Sequence, residues 1–98
     1  MNYAIIGCGL IGRKRLAGLP AGSELTVACD TNLARAEELV KLAKTGRAVA
    51  DYQQAITDSR VDAVIVATIN SALADVSAAA IRAGKSVLVE KQIGRAHV

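Results

Sequence analysis

Aromatic side chains are nearly absent from this 98-residue chain, which has two Tyr, no Phe and no Trp. Proteins that bind single-stranded nucleic acids stack bases on aromatic rings, so the composition disfavours that class. Hydrophobic residues nevertheless make up 52% of the sequence, and they are mainly Ala, Val, Ile and Leu. A core of such residues is typical of parallel α/β sheets, whose strands are buried on both faces.

Metal-binding patterns are also scarce. The two cysteines, Cys8 and Cys29, form no CxxC pair, and His97 is the single histidine. We therefore expect no metal site, and we interpret His97 as incidental because it fits no catalytic motif. A disulfide between the cysteines is geometrically conceivable if their strands are neighbours. An intracellular chain, however, would keep both thiols reduced.

Charge and apolar runs are modest as well. The formal charge is +3, and the basic residues are scattered instead of forming one long run. This distribution argues against a nucleic-acid surface. No charged segment with a long apolar core opens the chain, and no apolar run approaches membrane-spanning length. We expect a cytoplasmic protein that binds neither nucleic acid nor membrane.

The periodicity of the apolar residues predicts five strands alternating with four helices. The strands are expected at 2–6, 25–29, 47–50, 61–67 and 86–89, and the helices at 10–19, 32–44, 51–59 and over about three turns ending near Arg82. Short loops between alternating elements favour right-handed crossovers and an α/β fold with a doubly wound parallel sheet. The expected strand order is 3-2-1-4-5, with a ligand crevice over the carboxyl ends of the first and fourth strands.

A glycine-rich stretch, GxGxxG, connects the first strand to the first helix. Gly7 permits the tight turn, Gly9 lets a pyrophosphate approach the backbone, and Gly12 permits close packing of the helix on the strand. The first helical amides, at Leu10 and Ile11, would then bind the phosphates. The sequence predicts a dinucleotide site. The alternative is that the glycines only shape a turn.

Asp30 directly follows the second expected strand, about 20 residues after the glycine-rich stretch. A dinucleotide site needs an acceptor for ribose hydroxyls at this position. A carboxylate would repel a 2′-phosphate, so we expect NAD, with NADP as the less favoured cofactor. Thr31 adds no positive charge, whereas Arg35 lies one helical turn inward and could reach a phosphate. The basic triplet 13–15 is interpreted as a solvated face, with assistance to a phosphate as an alternative.

Several segments resemble the N-terminal domain of the Gfo/Idh/MocA oxidoreductases. They are the glycine-rich stretch, Asp30, the Asp-Tyr pair at 51–52, the strand and Thr at 61–68, and the Ala-Gly-Lys-Ser-Val-Leu-Val-Glu-Lys segment at 83–91. The resemblance implies a Rossmann-like domain. It also implies NAD(P)-dependent hydride transfer at a hydroxyl of a sugar, cyclitol or related polyol.

The resemblance also implies roles for individual residues. Lys91 would be the catalytic lysine beside the nicotinamide and the substrate hydroxyl, where an ammonium stabilises developing alkoxide charge. Glu90 could orient it. Ala67, Thr68 and Asn70 would lie in the loop that meets the nicotinamide ribose. The alternatives are a solvated charge for Lys91 and a helix cap for Thr68 or Asn70.

The end of the chain departs from the family pattern. Gln92 stands where family members have Pro, and residues 93–98, Ile-Gly-Arg-Ala-His-Val, match one reading frame of a common sequencing adapter. We therefore expect a dinucleotide-binding domain over 1–92 and a non-native tail over 93–98.

In the family a second domain follows, and it supplies the catalytic His, the substrate-reading surface and most subunit contacts. This chain alone is expected to be inactive, and the full-length protein is expected to be a homo-oligomeric enzyme. One alternative is a non-catalytic dinucleotide-binding or redox-sensing module. Another is a folded piece with no function of its own.

Overall fold

The computed structural model describes residues 1–67 and 70–89, without the side chains of residues 70–73 and 89. Within these ranges nine elements alternate along the chain. They are β1 (Asn2–Ile6), α1 (Leu10–Ala17), β2 (Glu24–Cys29), α2 (Leu33–Ala43), β3 (Arg47–Val49), α3 (Tyr52–Ile56), β4 (Ala63–Val66), α4 (Asn70–Arg82) and β5 (Ser86–Val89).

The five strands form one parallel sheet in the order β3-β2-β1-β4-β5, which confirms the predicted fold class and strand order. Ile6, the last residue of β1, pairs with Cys29 on one side and with Val66 on the other. The three central strands therefore end at the same edge of the sheet. The loops that follow them share one surface, where ligands of such sheets bind.

Helices cover both faces of the sheet. On one face Val64 and Val66 of β4 pack with Val76 and Ala80 of α4 and with Ile56 of α3. On the other face buried residues of β1 and β2 pack against α2, with part of α1 beside them: Ile5, Leu25, Ala28, Ala36, Leu39 and Leu16. Small aliphatic side chains thus fill both layers, as the composition predicted.

Several predicted element ends were wrong by a few residues. α1 stops at Ala17 and not at residue 19, because the backbone leaves the helical conformation at the C-cap Gly18, where φ is −95° and ψ is 6°. β4 covers 63–66 instead of 61–67, since the Val61 amide donates to Asp58 (3.1 Å) and closes a turn. β3 and α3 are likewise shorter than predicted.

Cys8 and Cys29 are both free and buried. The Cys8 thiol donates to the Cys29 carbonyl oxygen at 3.3 Å. Burial, reinforced by the negative charge of Asp30, raises the pKa of each thiol to about 12. Both therefore stay protonated near neutral pH and are poor nucleophiles.

The described residues contain neither a membrane-spanning helix nor a cluster of metal ligands. No helix there is long and apolar enough to cross a membrane. No group of three or more His, Cys, Asp or Glu side chains within residues 1–67 and 70–89 could hold a metal ion.

Candidate functional site

The glycine-rich loop begins directly after β1. Gly7 has φ of 99°, a backbone conformation that side chains rarely adopt. Its amide donates to the Cys29 carbonyl oxygen at 2.8 Å, which fixes the loop against the end of β2. The turn predicted from Gly7 is therefore present, and it brings the loop next to Asp30.

Gly12 is required by the fold itself. A Cβ at this position would overlap the Gly7 carbonyl oxygen and lie 3.5 Å from Ile5 Cγ2. The first turn of α1 therefore packs directly on the backbone at the end of β1. This close approach is the one that the sequence predicted for the third glycine of the motif.

Gly9 differs from its neighbours, because nothing in the fold requires a glycine there. Its φ of −81° and ψ of −153° are open to any residue, and a Cβ would meet no atom within 4 Å. The bare backbone at Gly9 instead leaves open space on the outer side of the loop. Such space suits a ligand that approaches the main chain closely.

The start of α1 offers backbone donors beside this space. Gly9 is the N-cap, no side chain caps the helix, and its first turn has no acidic residue. The first helical hydrogen bond runs from the Arg13 amide to the Gly9 carbonyl at 3.0 Å, so the amides of Leu10, Ile11 and Gly12 have no carbonyl partner within the helix. Donors of this kind and the helix dipole together favour an anion such as a pyrophosphate.

Asp30 is held against the glycine-rich loop. Its Oδ2 accepts from the Cys8 amide at 2.8 Å, and its Oδ1 accepts from the Asn32 amide, also at 2.8 Å. Each carboxylate oxygen can accept more than one hydrogen bond, so capacity remains for ribose hydroxyls. The fold thus places this carboxylate against the glycine-rich loop.

A depression of about 270 Å³ adjoins the loop. Its lining consists of Cys8, Gly9, Leu10, Arg13, Arg35 and Glu38. Arg13 Nη2 lies 2.7 Å from Glu38 Oε1, so an ion pair joins α1 to α2 along this wall. The six lining residues together form what is called the loop depression below. Sequence reasoning missed Glu38, because the packing of two helices that forms the pair has no local signal.

A larger depression, of about 590 Å³, lies between the C-terminal ends of α1 and α2, beside the start of β2. It contains neither the glycines of the motif nor Asp30. Its size therefore does not make it the better candidate, since the uncapped amides and the acceptor carboxylate lie at the opposite edge of the sheet.

The remaining predicted site residues fall into two groups. Thr31 is exposed beside Asp30, and the Ala67 amide donates to the Ile6 carbonyl at 2.7 Å, so the end of β4 adjoins the start of the loop. Asn70 is the first residue of α4. Thr68, Glu90, Lys91 and the side chain of Asn70 lie outside the described residues.

Comparison with known proteins identifies the class. Residues 1–93 match the profile of the Gfo/Idh/MocA oxidoreductase family, described as an NAD-binding Rossmann fold. The chain therefore belongs to this family, and the matched part is its NAD-binding domain. The loop geometry fits that cofactor, because it combines open space at Gly9, uncapped amides and an acceptor carboxylate.

The chain is also similar to individual proteins of known activity or structure. Inositol 2-dehydrogenase of Salmonella typhimurium is 39% identical over 97 residues, which cover 95% of this chain and 29% of that protein. A 3-ketoreductase from Actinomadura kijaniata, solved with NADP, is 29% identical with a TM-score of 0.81, over 94% of this chain and 29% of its own. The myo-inositol dehydrogenase of Lactobacillus casei, solved with NAD(H) and myo-inositol, shares the fold with a TM-score of 0.87. Its sequence is 24% identical, and the match covers 93% of this chain and 28% of that protein's chain.

The chain thus spans a little under a third of the length of the relatives that it matches.

Proposed function

We propose that this chain is the cofactor-binding part of a dehydrogenase that transfers hydride between NAD and a hydroxyl or carbonyl group of a cyclitol, sugar or related polyol. Family membership and the similarity to an inositol 2-dehydrogenase support the proposal. The cofactor would accept or donate the hydride. The relatives named above are dehydrogenases and a reductase, which gives no support to a redox-sensing module.

The observation that carries the proposal is Gly9. The fold does not require the absence of a side chain at Gly9, because its backbone angles suit any residue and a Cβ there would meet no protein atom. That absence does have a role if a pyrophosphate lies against the loop, because a methyl group there would block the approach to the amides of α1. The ligand thus explains what the protein alone does not.

The preference for NAD rests on Asp30. Its carboxylate is fixed by the Cys8 and Asn32 amides, so it cannot easily turn away from a ligand at the loop. Hydroxyls of the adenosine ribose would donate to it, whereas a 2′-phosphate would be repelled. We therefore propose NAD over NADP for this site.

The remaining steps of the reaction are assigned to residues outside the described ranges. Lys91 would polarise the substrate hydroxyl, Glu90 would orient Lys91, and Thr68 and Asn70 would contact the nicotinamide ribose. A catalytic His, the substrate surface and the homo-oligomer contacts would come from a second domain. A cytoplasmic location is part of the same proposal. The domain limits at 1–92 and the non-native tail at 93–98 stay predictions.

Titration of the purified chain with NADH tests the cofactor site. Binding is followed by nicotinamide fluorescence and by the melting temperature, in the parent chain and in Gly9→Ala. A ligand at about 100 times its Kd stabilises a fold by about 2.7 kcal/mol, which is readily measured. We expect Gly9→Ala to weaken NADH binding by about tenfold or more, equivalent to about 1.4 kcal/mol, while unfolding without ligand is nearly unchanged.

Gly18→Ala is the matched control. Gly18 ends the same helix with φ of −95°, and a Cβ there would lie 3.5 Å from the Lys14 carbonyl oxygen, an ordinary contact. This variant should bind NADH like the parent. Equal NADH affinity in the parent and in Gly9→Ala would contradict the proposed role of the loop.

A further inference from the structure

The loop depression contains more charge than binding of a pyrophosphate by backbone amides requires. Two guanidinium groups, of Arg13 and Arg35, and the carboxylate of Glu38 line its wall. Arg35 lies in the first turn of α2, where the helix dipole disfavours a cation. Among the residues that the structure describes, no hydrogen bond or ion pair engages the Arg35 side chain. Helix stability therefore does not account for this arginine.

The depression lies next to Asp30, the acceptor proposed for the adenosine ribose. Cys8 is one of its lining residues, and the Cys8 amide donates to Asp30 Oδ2 at 2.8 Å. A group attached to a ribose at Asp30 would therefore meet the charges of the depression next. The net charge of this region is close to zero, because the guanidinium groups of Arg13 and Arg35 are balanced by the carboxylates of Glu38 and Asp30.

We propose that Glu38 is a specificity-determining residue of the cofactor site, because its ion pair with Arg13 withholds that guanidinium from the 2′-phosphate of NADP. The inference rests on the proposed NAD-binding function and deepens it. Asp30 would not act alone: Glu38 would neutralise Arg13, one of the two arginines that line the depression and could bind a 2′-phosphate.

The electrostatic reason lies in the difference between the two cofactors. A 2′-phosphate carries nearly two negative charges near neutral pH, and it would have to displace Glu38 from Arg13 and then lie beside the displaced carboxylate. The 2′-hydroxyl of NAD carries no charge, so its binding does not depend on the state of the ion pair. Removing the charge of Glu38 should therefore change NADPH binding selectively.

The ion pair of Arg13 and Glu38 contributes little to the stability of the fold, so a substitution at Glu38 should change cofactor binding without unfolding the chain. The side chains of Arg13 and Glu38 are 48% and 60% exposed, and ion pairs as exposed as this one contribute little to stability. Glu38→Gln keeps the shape of the side chain and is expected to fold like the parent.

The experiment measures the Kd values of NADH and NADPH by nicotinamide fluorescence for the parent chain, Glu38→Gln and the control Glu37→Gln. Glu37 is exposed on the same helix and does not line the depression, so its variant makes the same charge change elsewhere. We expect Glu38→Gln to tighten NADPH binding by about three- to tenfold at low salt, less at high salt, with the NADH Kd within about twofold. Glu37→Gln should change neither.

A double variant tests the route through Arg13. In Arg13→Met/Glu38→Gln the gain in NADPH affinity should disappear relative to Arg13→Met, because the freed guanidinium is no longer present. A gain that persists without Arg13 would overturn the inference. Equal shifts for NADH and NADPH, or no shift for either while NADH still binds, would overturn it too and leave the proposed function intact.

A parent chain that melts cooperatively but binds neither nucleotide would instead refute the cofactor site itself, and the specificity inference with it. That result differs from the others, because it is already visible in the parent before any substitution is made.

Discussion

The two edges of the sheet use their polar groups in opposite ways. At the amino edge Lys85 Nζ donates to the carbonyls of Asp58 and Val61, at 2.9 and 2.7 Å, and the Asn2 amide donates to Asp62 Oδ2 at 2.8 Å. At the carboxyl edge the first amides of α1 have no cap, although they stand beside the Asp30 carboxylate. The polar groups named at the amino edge are hydrogen-bonded within the protein. The first amides of α1, at the carboxyl edge, have no partner within the helix and could bind a ligand.

This difference separates residues that hold the fold from residues that bind. Buried and half-buried polar groups need partners, and at the amino edge the protein supplies them for Lys85 and Asn2. At the carboxyl edge the uncapped helical amides are donors that, under the proposed function, a phosphate of the cofactor would engage. Substitutions at the amino edge should therefore change stability with little effect on nucleotide affinity, and Gly9 should show the reverse.

Gly12→Ala should have the largest effect on stability. Gly12 affects both the fold and the proposed cofactor site, because it lies in the first turn of α1 and packs on the backbone of Gly7. The new Cβ would overlap the Gly7 carbonyl oxygen, which is a backbone atom and cannot turn aside as the end of a flexible side chain could. We expect the free energy of unfolding to fall by about 3 kcal/mol, measured by urea denaturation, and NADH binding to be lost with it. Gly18→Ala, which adds the same methyl group without a clash, should unfold like the parent. Equal urea midpoints for all three chains would show that α1 does not pack as described.

Lys85→Met should have a smaller effect and should act on stability alone. Methionine keeps much of the aliphatic stem but removes both hydrogen bonds to the carbonyls of Asp58 and Val61. We expect a loss of about 1–2 kcal/mol in the free energy of unfolding, since the donor is charged and only half-buried. The exposed Lys41→Met is the control. If Lys85→Met weakened NADH binding while the chain stayed folded, the two edges would not be independent.

Asp58→Asn should give the smallest effect, and one that depends on pH. Hydrogen bonds from the Arg60 side chain and backbone hold the pKa of Asp58 well below its ordinary value of 3.8, against the opposing effect of burial. A depressed pKa means that the ionised carboxylate stabilises the fold above about pH 4, and that this contribution is lost as the pH falls further.

The difference in urea midpoint between the parent and Asp58→Asn should therefore be clear at about pH 7 and narrow by about pH 3. Asp75→Asn, at an exposed position of α4, should show little difference at either pH. A midpoint difference for Asp58→Asn that stayed constant from neutral to acidic pH would contradict a contribution from the ionised form.

The sequence predicted the backbone of the candidate site better than its side chains. The turn at Gly7, the tight contact at Gly12 and the approach of Asp30 to the loop follow from a motif whose spacing is set by strand, turn and helix geometry. The ion pair of Arg13 and Glu38 was not foreseen, because its partners are 25 residues apart on separate helices. The hydrogen bonds of Lys85 were missed for the same reason.

The sequence by itself determined the alternation of strands and helices, the strand order and the edge of the sheet at which the glycine-rich loop lies, because local periodicity, glycine positions and crossover handedness constrain these strongly. Tertiary structure alone decided which charged side chains meet. Helix ends, the pairing of Arg13 with Glu38 and the closed network at the amino edge depend on how finished elements pack. Packing brings together atoms that no local pattern relates.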